Sequence, residues 1–145
     1  IIDARRYPLD CCFSMFKQLF AQGQEFSYGL AEAGSYYNNY VKLMNHWNGV
    51  LPGKILRVNN EDIIEDLEAQ VKRMLEFLEL PYEEECISFH ETDRSVRTAS
   101  SEQVRRPINK DGMERWKPYS KHLKPLLNSL DAELLKPEDI ALLNQ

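Results

Sequence analysis

Arg6-Tyr7-Pro8-Leu9-Asp10-Cys11-Cys12-Phe13-Ser14 sets a guanidinium just after a short run, Ile1-Ile2-Asp3-Ala4, and a hydroxyl eight residues further on. Pro8 suits the first turn of a helix, where a missing N–H costs nothing. The chemistry such a junction offers is anion binding. Unsatisfied N–H groups and the dipole at a helix start favour negative charge, and an arginine there can grip a phosphate through two parallel donors. Ser14, about two turns into the helix, can donate to the same group when the helix packs alongside it. A second concentration of charge lies between Arg94 and Lys117. There Arg94, Arg97, Arg105, Arg106, Lys110, Arg115 and Lys117 stand against Glu102, Asp111 and Glu114. The chain as a whole carries a net charge of −5, so this local excess of four positive charges leaves −9 for the remainder. An acidic protein with one basic segment suggests a focused anion site and not a nucleic-acid surface; a solvated basic loop is the plain alternative.

Other reactive residue types have plainer explanations. Glu61-Asp62 has the look of an acid/base pair, but a polar helix-entry turn is the better reading. His46, His90 and His122 share no metal-ligand spacing with each other or with Cys86, and His90 reads as a structural residue near the basic segment. Cys11, Cys12 and Cys86 are an odd number; Cys11 and Cys12 lie in an apolar helical pattern, which fits small buried hydrophobes and a reducing, cytoplasmic compartment. Asp10 reads as a first-turn acid favoured by the helix dipole. Trp116 reads as core.

The elements that must position these groups follow from periodicity. The 145-residue chain, 43% hydrophobic, has the size and composition of one globular domain. No apolar run approaches the roughly 20 residues of a membrane helix, so no membrane partner is expected. The opening has no initiator Met and no signal-peptide pattern, and reads as a strand from within a longer protein. A strand over Ile1–Ala4 is followed by a helix carrying Leu9, Cys12, Phe13, Phe16, Leu19 and Phe20 on one face and stopping near Gly23. A second helix spans about Leu30–Gly49, with Tyr36, Tyr37, Tyr40, Leu43, Met44 and Trp47 as a broad core stripe. Lys54–Val58 is a short strand, Asp66 caps a helix that ends at Leu80-Pro81, and a short helical piece covers Glu84–Phe89. The segment from His90 to Ile108 has little apolar period. Helices are expected over Met113–Tyr119, Leu123–Leu130 and Pro137–Leu143. Strands separated by helices imply α/β architecture with a parallel sheet, helix-rich in this stretch.

Arg6-x-Pro8-x-Asp10-x3-Ser14 after a short strand resembles the 3′-phosphate-binding motif of sulfotransferases that use 3′-phosphoadenosine-5′-phosphosulfate (PAPS). The wording through Phe20 is similar to bacterial sulfotransferases that often follow tetratricopeptide repeats, relatives of tyrosylprotein sulfotransferases. Arg57-Val-Asn-Asn60-Glu61-Asp62 and Phe77-Leu78-Glu79-Leu80 occupy the places of two further family segments. Asn60 stands where the family usually has a nucleotide-binding Tyr, and Asn cannot stack on adenine. Arg97-Thr-Ala-Ser100-Ser101-Glu-Gln103-Val104-Arg105-Arg106-Pro107-Ile108, with Arg115-Trp116 downstream, resembles the family's Thr-x-Ser-x-x-Gln-Val-Arg-x-Pro-Ile element and its basic-Trp pair.

The resemblance implies a phosphate-loop-NTPase-like fold, with residues 1–145 as the C-terminal portion of a single sulfotransferase domain. The core match is 1–130, and 131–145 form a tail without a recognised counterpart. It implies Arg6 and Ser14 on the 3′-phosphate, Asn60, Arg105 and Arg115 as further nucleotide contacts, and Ser100 supporting the departing bridge. PAPS would be co-substrate, 3′-phosphoadenosine-5′-phosphate (PAP) product and a hydroxyl the acceptor, with no metal required. N-terminal tetratricopeptide repeats would be possible neighbours. The family's Gly-rich 5′-phosphosulfate loop and its general base have no counterpart here, since the six glycines are scattered, so the stretch by itself is expected to be inactive. A non-catalytic nucleotide-binding or interaction module and a phosphate-loop kinase are the rival readings.

Overall fold

The computed structural model describes residues 1–20, 22–92, 95 and 103–144. Two compact units divide them: Ile1–Arg5 with Leu56–Asp111, and Arg6–Ile55 with Gly112–Gln145.

In the first unit, β1 (Ile2–Arg5) and β2 (Leu56–Asn59) pair in parallel, with Ile2 opposite Leu56 and Arg5 opposite Asn59. A parallel pair needs a long crossover, which the intervening fifty residues supply as helices, as the alternation of patterns implies. Asp3 is buried in this pair; its Oδ2 accepts from Arg5 Nε at 2.9 Å and lies 3.9 Å from Arg57 Nε. A carboxylate taken out of water needs such cations around it. β2 runs directly into α3 (Asn60–Glu65), and Asp66 then caps α4 (Leu67–Phe77) by accepting from the Ala69 N–H at 3.0 Å. This is the cap expected from the sequence. α4 closes three residues before Leu80, because Glu79 takes a positive φ of 57° and Leu80 N–H turns back to the Leu75 carbonyl. Short 3₁₀ turns at Glu84–Cys86, Phe89–Glu91 and Gln103–Arg105 follow.

In the second unit, α1 (Pro8–Lys17) and α2 (Leu30–Val50) precede a turn at 111–116, a 3₁₀ stretch at Lys117–His122, α5 (Lys124–Ser129) and α6 (Pro137–Leu143). Leu9, Cys12 and Phe13 of α1 share a core with Ala33, Tyr37 and Val41 of α2 and with Trp116, Leu126, Leu135 and Leu143. Backbones come close where α2 crosses α5: a Cβ on Gly34 would lie 2.0 Å from Ser129 Oγ and 3.2 Å from Leu126 Cδ1. Beside that crossing, buried Asn38 donates to the Ser129 carbonyl (2.8 Å) and Asp131 Oδ1 (3.0 Å) and accepts from the Asp131 N–H (3.1 Å).

Three expectations change here. α1 stops at Lys17, with Gln18 already extended, so Leu19 falls outside the helix and is exposed; Phe16, still helical, is also exposed, and Gly23 instead occupies a separate positive-φ bend. The aromatic stripe of α2 proves to be two adjoining faces. Tyr37 and Val41 are buried, while Tyr36, Leu43 and Trp47 remain 51%, 52% and 42% exposed, Tyr36 lying stacked on Phe26. Neighbours one residue apart on a helix diverge by about 100°, so one covering layer cannot bury both faces. The helix expected over Met113–Tyr119 is a turn followed by 3₁₀ geometry, since Glu114 adopts φ 56° and Pro118 lacks a donor.

Candidate functional site

Arg6 is fixed from three directions within the second unit. Its carbonyl accepts from the Tyr37 hydroxyl at 2.7 Å. Its Nη2 donates to the Gly112 carbonyl and lies 4.0 Å from Asp10 Oδ1. Gly112 eases that approach, since a Cβ there would sit 3.1 Å from Nη2. Arg6 Nε is buried and has no hydrogen-bond partner among the described residues, which leaves a charged donor available for a ligand.

Asp10 does more than complement a helix dipole. It is 4% exposed, and its Oδ2 accepts from the Glu114 N–H at 3.0 Å, so one carboxylate ties α1 to the turn that carries Arg115. Trp116, fully buried, anchors the next position, leaving Arg115 exposed beside it. Trp116 is thus core, as expected.

Asp10, Ser14 and Lys17 follow one another at spacings of four and three, the spacing of one stripe of α1, and Arg6 stands four residues before Asp10, ahead of the helix. Ser14 is exposed on that stripe. Lys17 Nζ sits 4.6 Å from the Phe13 ring centroid. Partial burial, and then the positive charges of Arg115 and Arg6, hold the Lys17 pKa below its usual value, with Asp10 partly offsetting them. The charges of Arg115 and Arg6 therefore act on Lys17, three residues beyond Ser14 on α1, and mutual repulsion of this kind is relieved when an anion enters.

The remaining candidates belong to the first unit or lie outside the described residues. Asn60 is the half-buried first residue of α3, and the adjacent Asn59 side chain donates to Asp62 at 2.9 Å, making Glu61-Asp62 a helix-entry turn. Arg105 is exposed, with Nη1 donating to the Thr92 carbonyl at 2.5 Å. Ser100 lies outside the described residues, as do Arg97 and Ser101. Among the described residues no group of His, Cys, Asp and Glu could hold a metal ion, and no helix is long and apolar enough to cross a membrane.

Sequence reasoning missed Lys17 and the bridging work of Asp10. The three-residue spacing from Ser14 was available to single out Lys17; the long-range partner of Asp10, 104 residues away, was not.

Residues 1–84 match the model of a family described as "Sulfotransferase family". An uncharacterized protein of Aquifex aeolicus (strain VF5) is 33% identical over 142 residues, covering 96% of this chain and 19% of that protein. The chain therefore spans about a fifth of the length of that relative. The family match contains Arg6, Ser14 and Asn60; the similarity to the Aquifex protein covers nearly the whole chain.

Proposed function

The chain belongs to the sulfotransferase family, and from that premise we propose that it binds the 3′-phosphate end of PAPS while the full protein moves the sulfonate to a hydroxyl acceptor. Arg6 and Ser14 hold the 3′-phosphate, with Lys17 on the same stripe. Arg115 and Arg105 add phosphate contacts, and Asn60 contributes a hydrogen bond where the family has Tyr. Ser100 supports the oxygen that bridges phosphorus and sulfur. In the reaction the acceptor oxygen bonds to sulfur as the bond from sulfur to that bridging oxygen breaks. PAP departs with the bond's electrons, and a general base takes the acceptor's proton. The demand on the protein is alignment and neutralisation of charge on the departing phosphate, which arginine, lysine and serine donors can meet without a metal. The base and the 5′-phosphosulfate loop come from elsewhere in the protein, so this stretch alone is not expected to catalyse transfer. The phosphate-loop-NTPase-like sheet, of which β1 and β2 form part, the likeness to tetratricopeptide-linked and tyrosylprotein-type enzymes, and a cytoplasmic setting belong to the same reading.

The observation that carries it is Arg6, held before α1 by Tyr37 and the Gly112 carbonyl, with its buried Nε lacking a hydrogen-bond partner among the described residues and Ser14 exposed two turns along the helix. The test is a transfer assay with the full protein, PAPS and a panel of phenolic, sugar and peptidyl hydroxyls, reading the sulfated product. Adenosine 5′-phosphosulfate, which lacks the 3′-phosphate, should show a KM higher by at least about tenfold, the worth of one charge-assisted contact. Equal use of both donors would overturn the reading.

A further inference from the structure

Residues 131–143 lie beyond the family match and carry no recognised family motif, yet they reach the turn that bears Arg6. Leu135 and Leu143 are buried in the same core as Leu9 and Cys12. Asp139, 5% exposed in the first turn of α6, accepts from the Tyr7 hydroxyl at 2.6 Å. The same hydroxyl oxygen accepts from the Lys136 N–H at 3.1 Å, and Lys136 Nζ sits 5.1 Å from the Tyr7 ring centroid. Tyr7 is the residue between Arg6 and Pro8; it caps α1, and its carbonyl accepts the Cys11 N–H at 2.9 Å. We propose that Tyr7 and Asp139 are positioning residues. Their hydrogen bond clamps the turn before α1, so that the Arg6 guanidinium and the Ser14 stripe face one 3′-phosphate.

The argument is geometric. Arg6 must be aimed to within a fraction of an ångström for two parallel donors to meet one phosphate. Its backbone is pinned at the carbonyl by Tyr37 of α2. One hydrogen bond leaves rotation about that contact free, and the Tyr7 side chain supplies a second anchor one residue on. A carboxylate as buried as Asp139 is costly without a donor, so the pair holds together or not at all. Burial and then the bond to Asp139 push the Tyr7 pKa up, so its hydroxyl stays a donor through the physiological range.

The proposal rests on Arg6 being the 3′-phosphate ligand, and calorimetry of the full protein with PAP and 5′-AMP separates the two claims. Wild-type protein should prefer PAP, and Arg6→Ala should abolish that preference. Tyr7→Phe and Asp139→Leu should each lower PAP affinity about tenfold, near 1.4 kcal/mol, with 5′-AMP affinity held within about twofold. Asp139→Asn keeps an acceptor oxygen and should restore most of the loss. The double variant Tyr7→Phe/Asp139→Leu should be no worse than the weaker single, because both remove one interaction. Should the clamp variants fold poorly, hydrogen exchange on wild-type protein reads the same coupling: PAP should slow exchange at 136–143 as well as at 6–17. Lower melting temperatures with an unchanged PAP/5′-AMP ratio, or exchange at 136–143 indifferent to PAP, would sink the clamp while leaving the Arg6 assignment standing. No PAP preference in wild-type protein would remove the assignment and the clamp together.

Discussion

Lys17 sits three residues beyond Ser14 on α1, its ammonium over the Phe13 ring and its pKa held below 10.5, first by partial burial and then by the charges of Arg115 and Arg6. The sign of the pH effect follows. A lysine with a lowered folded pKa binds fewer protons folded than unfolded, so its penalty on stability is full below the lowered value and is relieved as pH rises from there toward 10.5. Ligand binding runs the other way. A bound phosphate favours charged Lys17, so PAP affinity should fall as pH climbs through the lowered value, with proton uptake on binding. Calorimetry in buffers of differing ionisation enthalpy checks this, and Lys17→Met should flatten the profile. Gly112 offers a second check. Alanine there would place Cβ 3.1 Å from Arg6 Nη2, so Gly112→Ala should weaken PAP binding roughly threefold to tenfold with little change in melting temperature, by displacing the guanidinium a few tenths of an ångström. At this scale Arg6 and Ser14 could be singled out as candidates because their types and spacing are local. Asp10 was legible only as a charge near a helix start, since its partner at Glu114 is brought to it by the fold.

α4 begins at a cap that local sequence announces, and Asp66→Ala should cost about 1 kcal/mol in denaturant unfolding by removing the bond to the Ala69 N–H. α2 and α5 meet at a contact that no local pattern shows. Gly34 faces Ser129 and Leu126 so closely that Gly34→Ala should destabilise the protein by about 1–3 kcal/mol, the usual range for overpacking. Ser129→Ala in the same chain should recover part of it, because Ser129 Oγ is the nearest obstacle; thermal melts of the three variants decide. Element identity was readable where a long period or a start signal marks the chain, as in α2, in α4 behind its Asp66 cap and in α6 with Pro137 in its first turn. It failed where the chain lacks either. The end of α1 depends on Gln18 leaving the helix before its last apolar residues, and the 113–119 segment on a left-handed Glu114, a conformation its residue type does not advertise.

A chain of net charge −5 that carries Arg6, Lys17 and Arg115 in one unit fits the proposed binding of a small polyanion better than the coating of an extended one. PAP binding should therefore weaken steadily with ionic strength, since exposed Lys17 and Arg115 are screened within about 8–10 Å at 0.1–0.15 M salt. The α/β character was visible from the order of strands and helices, and the two-stranded parallel sheet agrees with it. The division into two units was not visible, because the crossover between paired strands is itself long enough to build a core with the C-terminal helices. Nor was the place of residues 131–143, whose contribution to that core depends on partners more than a hundred residues away. The central claim is that Arg6 reads a 3′-phosphate. Its most direct test is calorimetric titration of the full protein with PAP and with 5′-AMP, repeated for Arg6→Ala. The account predicts that wild-type protein binds PAP at least about tenfold more tightly than 5′-AMP and that Arg6→Ala erases the difference. Equal affinities in wild-type protein, or a preference that survives Arg6→Ala, would contradict it.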